Sequence, residues 1–119
     1  MFLSVVIITD ICIQSLNISG NELSSLPLSL FSLYALETLN ISANRIHSIP
    51  PALHNLKNLA ELYVSDNLIE IITDDLLQCS NLTTLDLRNN RIKVVPSTLS
   101  FKLAKLTVLL LDGNAALYL

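Results

Sequence analysis

Apolar and polar positions in this chain follow one order, apolar-x-x-apolar-x-apolar-x-x-Asn-x-apolar, written five times. The asparagines of the five copies, Asn21, Asn44, Asn67, Asn90 and Asn114, stand 23, 23, 23 and 24 residues apart. Among the positions the pattern constrains, only Ala116 is neither Asn nor a branched apolar residue. A fixed period of this length predicts a solenoid, in which each unit buries its apolar face only against its neighbours. The second and third apolar positions lie two apart, so a short extended segment sends both to one face. The inward pairs are then Leu16/Ile18, Leu39/Ile41, Leu62/Val64, Leu85/Leu87 and Leu109/Leu111. Stacked copies predict a parallel sheet with these pairs in a continuous core. The chain must turn inward after each strand, which buries backbone groups that have no ladder partner. An Asn side chain carries both donor and acceptor for such a turn, so the asparagine file reads as structural.

The outer half of each unit is equally patterned. Six residues after the Asn stand Pro27, Pro50 and Pro96, with Thr73 in their place in the third unit. Proline suits an extended segment that donates no ladder amide. Apolar residues then recur three apart, as Leu30-Leu33-Leu36, Leu53-Leu56-Leu59 and Leu76-Cys79-Leu82. That spacing predicts a turn of 3₁₀ or irregular helix on the convex side. The fourth unit runs Leu99, Leu103, Leu106, one residue longer, which predicts a bulge near Ser100–Lys102. Projected backwards, the period places the equivalents of Ile49, Pro50, Leu53 and Leu59 on Leu3, Ser4, Ile7 and Ile13. Residues 1–12 therefore read as a partial outer half-repeat. The alternative, a secretory leader over Met1–Ile8, lacks a basic start and a small-residue cleavage site.

The chain resembles the leucine-rich-repeat family, in its intracellular class with 23-residue units and an I/L-P-x-x-L-x-x-L-x-x-L outer segment. The resemblance covers roughly residues 3 to 119. It implies an α/β solenoid with short parallel strands on the concave face and 3₁₀, irregular or short helical segments on the convex face. The expected organisation is one domain over residues 1–119, with strand-turn motifs at 13–23, 36–46, 59–69, 82–92 and 106–116. The class is similar to that of Ras-pathway scaffolds and multi-repeat adaptors, which implies a non-catalytic protein-interaction module in the cytoplasm. The family's usual terminal caps are not found in the sequence, and Ala115–Leu119 is apolar. A fragment of a longer array is therefore expected, since terminal repeats are normally covered.

Composition narrows the functional classes. The chain has 119 residues, 51% of them hydrophobic, a formal charge of −3 and only seven basic side chains, which are scattered. Without a basic stripe, nucleic acid is not an expected partner. No apolar run reaches the roughly 20 residues of a membrane-spanning helix. Cys12 and Cys79 lie almost three repeats apart along the stack, too far for a disulfide. Cys79 occupies the position of Leu33 and Leu56 and reads as a small buried hydrophobe. Two free thiols favour a reducing compartment. No metal-ligand cluster, phosphate-binding glycine loop or nucleophile motif occurs, so no cofactor, no metal and no catalytic residue is expected. His47 and His54 fall on outer segments, away from the strand carboxylates.

Candidate binding residues lie at the outward strand positions. The residue before the first inward side chain of each strand reads Ser15, Thr38, Glu61, Thr84, Val108. The residue between the two inward positions reads Asn17, Asn40, Tyr63, Asp86, Leu110, and the next outward position reads Ser19, Ser42, Ser65, Arg88, Asp112. A Tyr bordered by charges has the make-up of an interface anchor. The expected partner surface is Thr38, Asn40, Glu61, Tyr63, Asp66, Thr84, Asp86 and Arg88, facing another protein with a basic segment. The opposing expectation is a merely solvated face, with Arg88 paired to Asp112 or Asp66. Three sequons, at Asn17, Asn40 and Asn81, keep an extracellular receptor ectodomain as the alternative.

Overall fold

The structure is a computed structural model that describes residues 12–117. The expected half-repeat over residues 1–12 lies, Cys12 apart, outside the described residues, as do Tyr118 and Leu119.

Five strands, β1 (Ser15–Asn17), β2 (Thr38–Asn40), β3 (Glu61–Tyr63), β4 (Thr84–Asp86) and β5 (Val108–Leu110), form one parallel sheet in sequence order. The register pairs equivalent residues throughout, for example Leu39 with Leu62 and Leu62 with Leu85. The expected columns therefore exist as rows across the sheet. Each strand has three residues, of which the middle one points inward; Leu39, Leu62 and Leu85 are fully buried. Backbone pairing continues past the strands, where Ile41 N donates to Tyr63 O and Val64 N to Asp86 O.

The asparagines work with a fixed polarity. Asn67 Nδ2 donates to Val64 O and Ser65 O of its own turn and to Ile41 O of the preceding unit, while its Oδ1 accepts from Ile46 N of that preceding unit. Asn44 and Asn90 repeat the scheme. Each of these three asparagines thus closes two turns, and among the described residues no buried side-chain polar atom lacks a partner. The residue before each asparagine, Gly20, Ala43, Asp66, Asn89 and Gly113, has a positive φ between 54° and 82°. That left-handed residue turns the chain inward, yet only two of the five are glycine.

The outer path differs among units. Leu28–Ser32 and Pro51–Asn55 are the expected 3₁₀ turns, each preceded by an extended proline. The third and fourth units instead carry single α-turns, α1 (Asp74–Leu77) and α2 (Leu99–Lys102). Thr73, the residue in place of proline, caps α1, its Oγ1 accepting from Leu76 N at 3.3 Å. Asp74 and Asp75 in that first turn face the favourable end of the peptide dipoles. The bulge expected at Ser100–Lys102 is not a bulge. The extra residue is absorbed by i→i+4 pairing, with Lys102 N donating to Thr98 O and Leu103 N to Leu99 O, and Phe101 is pushed into solvent.

Leu30, Leu33, Leu53, Leu56, Leu76 and Cys79 are all buried against the sheet and form one core with the strand leucines. Both cysteines are free, and burial pushes the Cys79 thiol up to about 11.

Candidate functional site

The outward face of the sheet gathers the eight residues expected to bind. Thr38, Asn40, Glu61, Tyr63, Thr84 and Asp86 are outward strand positions, Arg88 follows β4 and Asp66 occupies a left-handed turn position after β3. Register sets Glu61 between Thr38 and Thr84, and Tyr63 between Asn40 and Asp86.

Two hydrogen-bonded groups organise this face. In the first, Glu61 is a shared acceptor. Thr38 Oγ1 donates to its Oε2 at 3.0 Å, and Tyr63 Oη donates to its Oε1 at 3.2 Å. The phenol is thereby tied down at its tip while the ring stays half-buried on the sheet. Partial burial, the hydrogen bond to Glu61 and the charges of Glu61 and Asp86 together raise the Tyr63 hydroxyl above its ordinary value. Tyr63 therefore remains a neutral donor at neutral pH.

In the second, Asp86 and Arg88 form a closed fork. Arg88 Nε donates to Oδ1 at 3.0 Å, Nη2 to Oδ2 at 2.9 Å, and the Arg88 backbone N–H to Oδ1 at 3.1 Å. The Asp86 side chain is 3% exposed and that of Arg88 46%. Burial alone would raise the Asp86 carboxyl, but the Arg88 hydrogen bonds and charge outweigh it and hold the group below its ordinary value. This corrects two expectations. Asp86 is a covered carboxylate rather than a solvated one, and the partner of Arg88 is Asp86 rather than Asp112 or Asp66, which contribute only weaker attraction.

The row containing Asp86 also has a local role that the column reading missed. Asn17 Oδ1 accepts from Ser19 N, and Asn40 Oδ1 from Ser42 N, each at 3.0 Å. Asp86 does the same with Arg88 N. These side chains cap the strand end by bonding two residues ahead, a habit of Asn and Asp that their spacing advertises. Asn40 is therefore partly committed to its own backbone. Tyr63 and Leu110 stand in the same row and cannot make this bond, and of the two only Tyr63 carries an aromatic ring with a polar tip.

The sequon at Asn81 lies three residues before β4, outside the strand. Asn81 Nδ2 donates to Lys57 O, and its Oδ1 accepts from Lys105 Nζ at 2.8 Å. His54 is likewise remote from Tyr63, in the 3₁₀ turn, with Nδ1 3.6 Å from Asp75. Among the described residues no group of three His, Cys, Asp or Glu is placed to hold a metal ion, and no helix is long and apolar enough to cross a membrane.

A family model described as leucine rich repeat matches residues 13–69 and 58–115. Among solved structures, a leucine-rich-repeat protein of Leptospira interrogans is 30% identical with a TM-score of 0.70, and the match covers 80% of this chain and 24% of that one. Internalin C2 of Listeria monocytogenes is 27% identical with a TM-score of 0.75, over 85% of this chain and 42% of that one. The ectodomain of the Arabidopsis thaliana membrane receptor kinase GASSHO1/SCHENGEN3, solved in complex with Casparian strip integrity factor 2, is 30% identical with a TM-score of 0.74. That match covers 84% of this chain and 12% of the ectodomain. The chain thus spans less than half the length of each of these proteins. No curated protein matches the sequence.

Proposed function

The chain belongs to the leucine-rich-repeat family, and we propose that it is a non-catalytic protein-interaction module whose concave sheet face binds a partner around Tyr63. The observation that carries this reading is the way Tyr63 is held. Its ring lies half-buried in the row otherwise occupied by Asn17, Asn40, Asp86 and Leu110, and its hydroxyl is fixed by Glu61. An aromatic side chain immobilised before contact loses little entropy on binding and buries a large area. Thr84 and Arg88 border it with further donors.

The partner segment favoured is basic. Once Asp86 is matched by Arg88, the remaining charges on this side, Glu61, Asp66 and Asp112, are all negative. A lysine- or arginine-bearing segment complements that field, which speeds encounter and orients the complex. The compartment favoured is cytoplasmic, in a scaffold or adaptor of intracellular signalling, and the support is the exposed free thiol of Cys12. The second reading is part of an extracellular receptor. The 30% identity to a plant receptor ectodomain favours it, and glycans on Asn81 in protein from its native source would establish it.

The test is a pull-down with Tyr63→Ala and, separately, Glu61→Gln. Both changes are expected to leave the circular dichroism unaltered and to remove the bound protein. Retention of the same protein by both variants would refute the placement.

A further inference from the structure

Away from the concave face, the segments that follow Asn67 and Asn90 expose apolar side chains where the first two units carry Ser25 and Ser48. Ile71 is 67% and Val94 61% exposed. With Ile72 and Pro96 they line an open cleft of about 510 Å³, flanked by Glu70 from the third unit and Lys93 from the fourth. Glu70 and Lys93 occupy the same place in successive repeats, as do Ile71 and Val94. Among the described residues neither Glu70 nor Lys93 has an ion-pair partner, although each is exposed.

This arrangement is complementary to itself. Consider a two-fold axis lying in the plane of the patch and running between the third and fourth units, at right angles to the stack. Rotation about it brings Ile71 opposite Val94 of a second molecule, and Val94 opposite Ile71. The same rotation brings Glu70 opposite Lys93, and Lys93 opposite Glu70. Apolar residues meet at the centre and two opposite-charge pairs close the edge, in the isologous form that two-fold contacts require.

We propose that this cleft is a self-association surface, and that two copies of the chain pair through it as an antiparallel side-by-side dimer. The concave face, on another side of each array, is left open in that dimer, so the assembly is bivalent for the partner. Bivalence strengthens binding to any partner that presents two matching segments within reach.

Sedimentation equilibrium on the whole chain tests this through charge reversal. The wild-type protein is expected to sediment as a concentration-dependent dimer. Glu70→Lys places Lys opposite Lys at both edges, and Lys93→Glu places Glu opposite Glu. Each variant alone is expected to dissociate at least about tenfold more readily, because like charges juxtaposed at a contact oppose it. Mixing the two variants restores both opposite-charge pairs, so the mixture regains the dimer, as does the double variant E70K/K93E. A wild-type chain that stays monomeric at its highest soluble concentration overturns the proposal. So does a dimer that both single variants retain, which would put the contact elsewhere. Single variants that dissociate but whose mixture fails to re-form the dimer also overturn it, since the rotation then does not relate Glu70 to Lys93.

Discussion

Arg88 covers Asp86. The guanidinium two residues along the chain grips both carboxylate oxygens, at 3.0 and 2.9 Å, so that Asp86 is buried beneath a side chain that is itself half in solvent. The pair fixes the geometry of β4 beside Tyr63 and removes one negative charge from the binding face.

The carboxyl of Asp86 is held below its ordinary value of 3.8. A depressed carboxyl binds a proton less readily in the folded chain than in the unfolded one, so its contribution to stability is complete above that ordinary value. It is lost as pH falls from 3.8 toward the lower folded value. Carboxyl NMR is expected to show Asp86 titrating below 3.8. In Arg88→Ala the guanidinium bonds and charge are lost and only the backbone N–H of residue 88 still opposes burial, so the Asp86 titration should move upward. An unchanged titration in that variant would contradict the fork.

Asn67→Ala removes an acceptor for Ile46 N and a donor to three carbonyls, at a buried position. The expected loss is about 2–4 kcal/mol in urea-unfolding stability, from several buried groups left unpaired. Asn67→Asp should be comparably damaging, because it sets a carboxylate against those carbonyl oxygens. Asn21 serves only its own turn through Ile18 O and Ser19 O, so Asn21→Ala should cost less.

The left-handed turn residues predict opposite outcomes at two positions. Ala43 has φ 54°, a conformation that an alanine Cβ opposes. Ala43→Gly is expected to stabilise the chain by about 0.5–1 kcal/mol in thermal or urea melts, after the added freedom of the unfolded chain is subtracted. Gly113→Ala should destabilise it, since its Cβ would collide with Asn89 Oδ1 as well as strain the backbone.

Much of this was legible because the repeat speaks through side-chain type. The strand register, the inward leucines and the buried Cys79 follow from period and hydrophobicity alone, since a slip of one residue would expose the core. The extra residue of the fourth unit was visible as length, but its conformation was not. An α-turn replaced the expected bulge because the Thr98 and Leu99 carbonyls could accept i→i+4 bonds. The left-handed turns were hidden at Ala43, Asp66 and Asn89, whose strain is offset by the asparagine bonds around them. The burial of Asp86 was hidden for a different reason. It depends on the rotamer of Arg88, which no pattern of residue types encodes. The Asn17, Asn40 and Asp86 end-caps are signalled by Asn-x-Ser and Asp-x-Arg at the strand ends, since Asn and Asp bond readily to the backbone two residues ahead.

If the partner is basic, ionic strength should weaken its binding more than it weakens folding. Raising salt from low to high is expected to slow association, since long-range attraction between exposed charges is screened beyond about 10 Å at 0.1 M. Surface plasmon resonance on the captured partner measures this directly. An association rate indifferent to salt would remove the basic segment from the account while leaving the surface intact.

The placement of the partner on the concave face is tested most directly by position-specific crosslinking in the native cell. A photoreactive residue at Thr84, beside Glu61 on the sheet, is compared with one at Tyr34, an exposed tyrosine just after the first 3₁₀ turn. The account predicts one discrete adduct from position 84, lost when Tyr63→Ala is added, and none of that mass from position 34. An adduct that forms from position 34 alone, or one from position 84 that survives Tyr63→Ala, would contradict it.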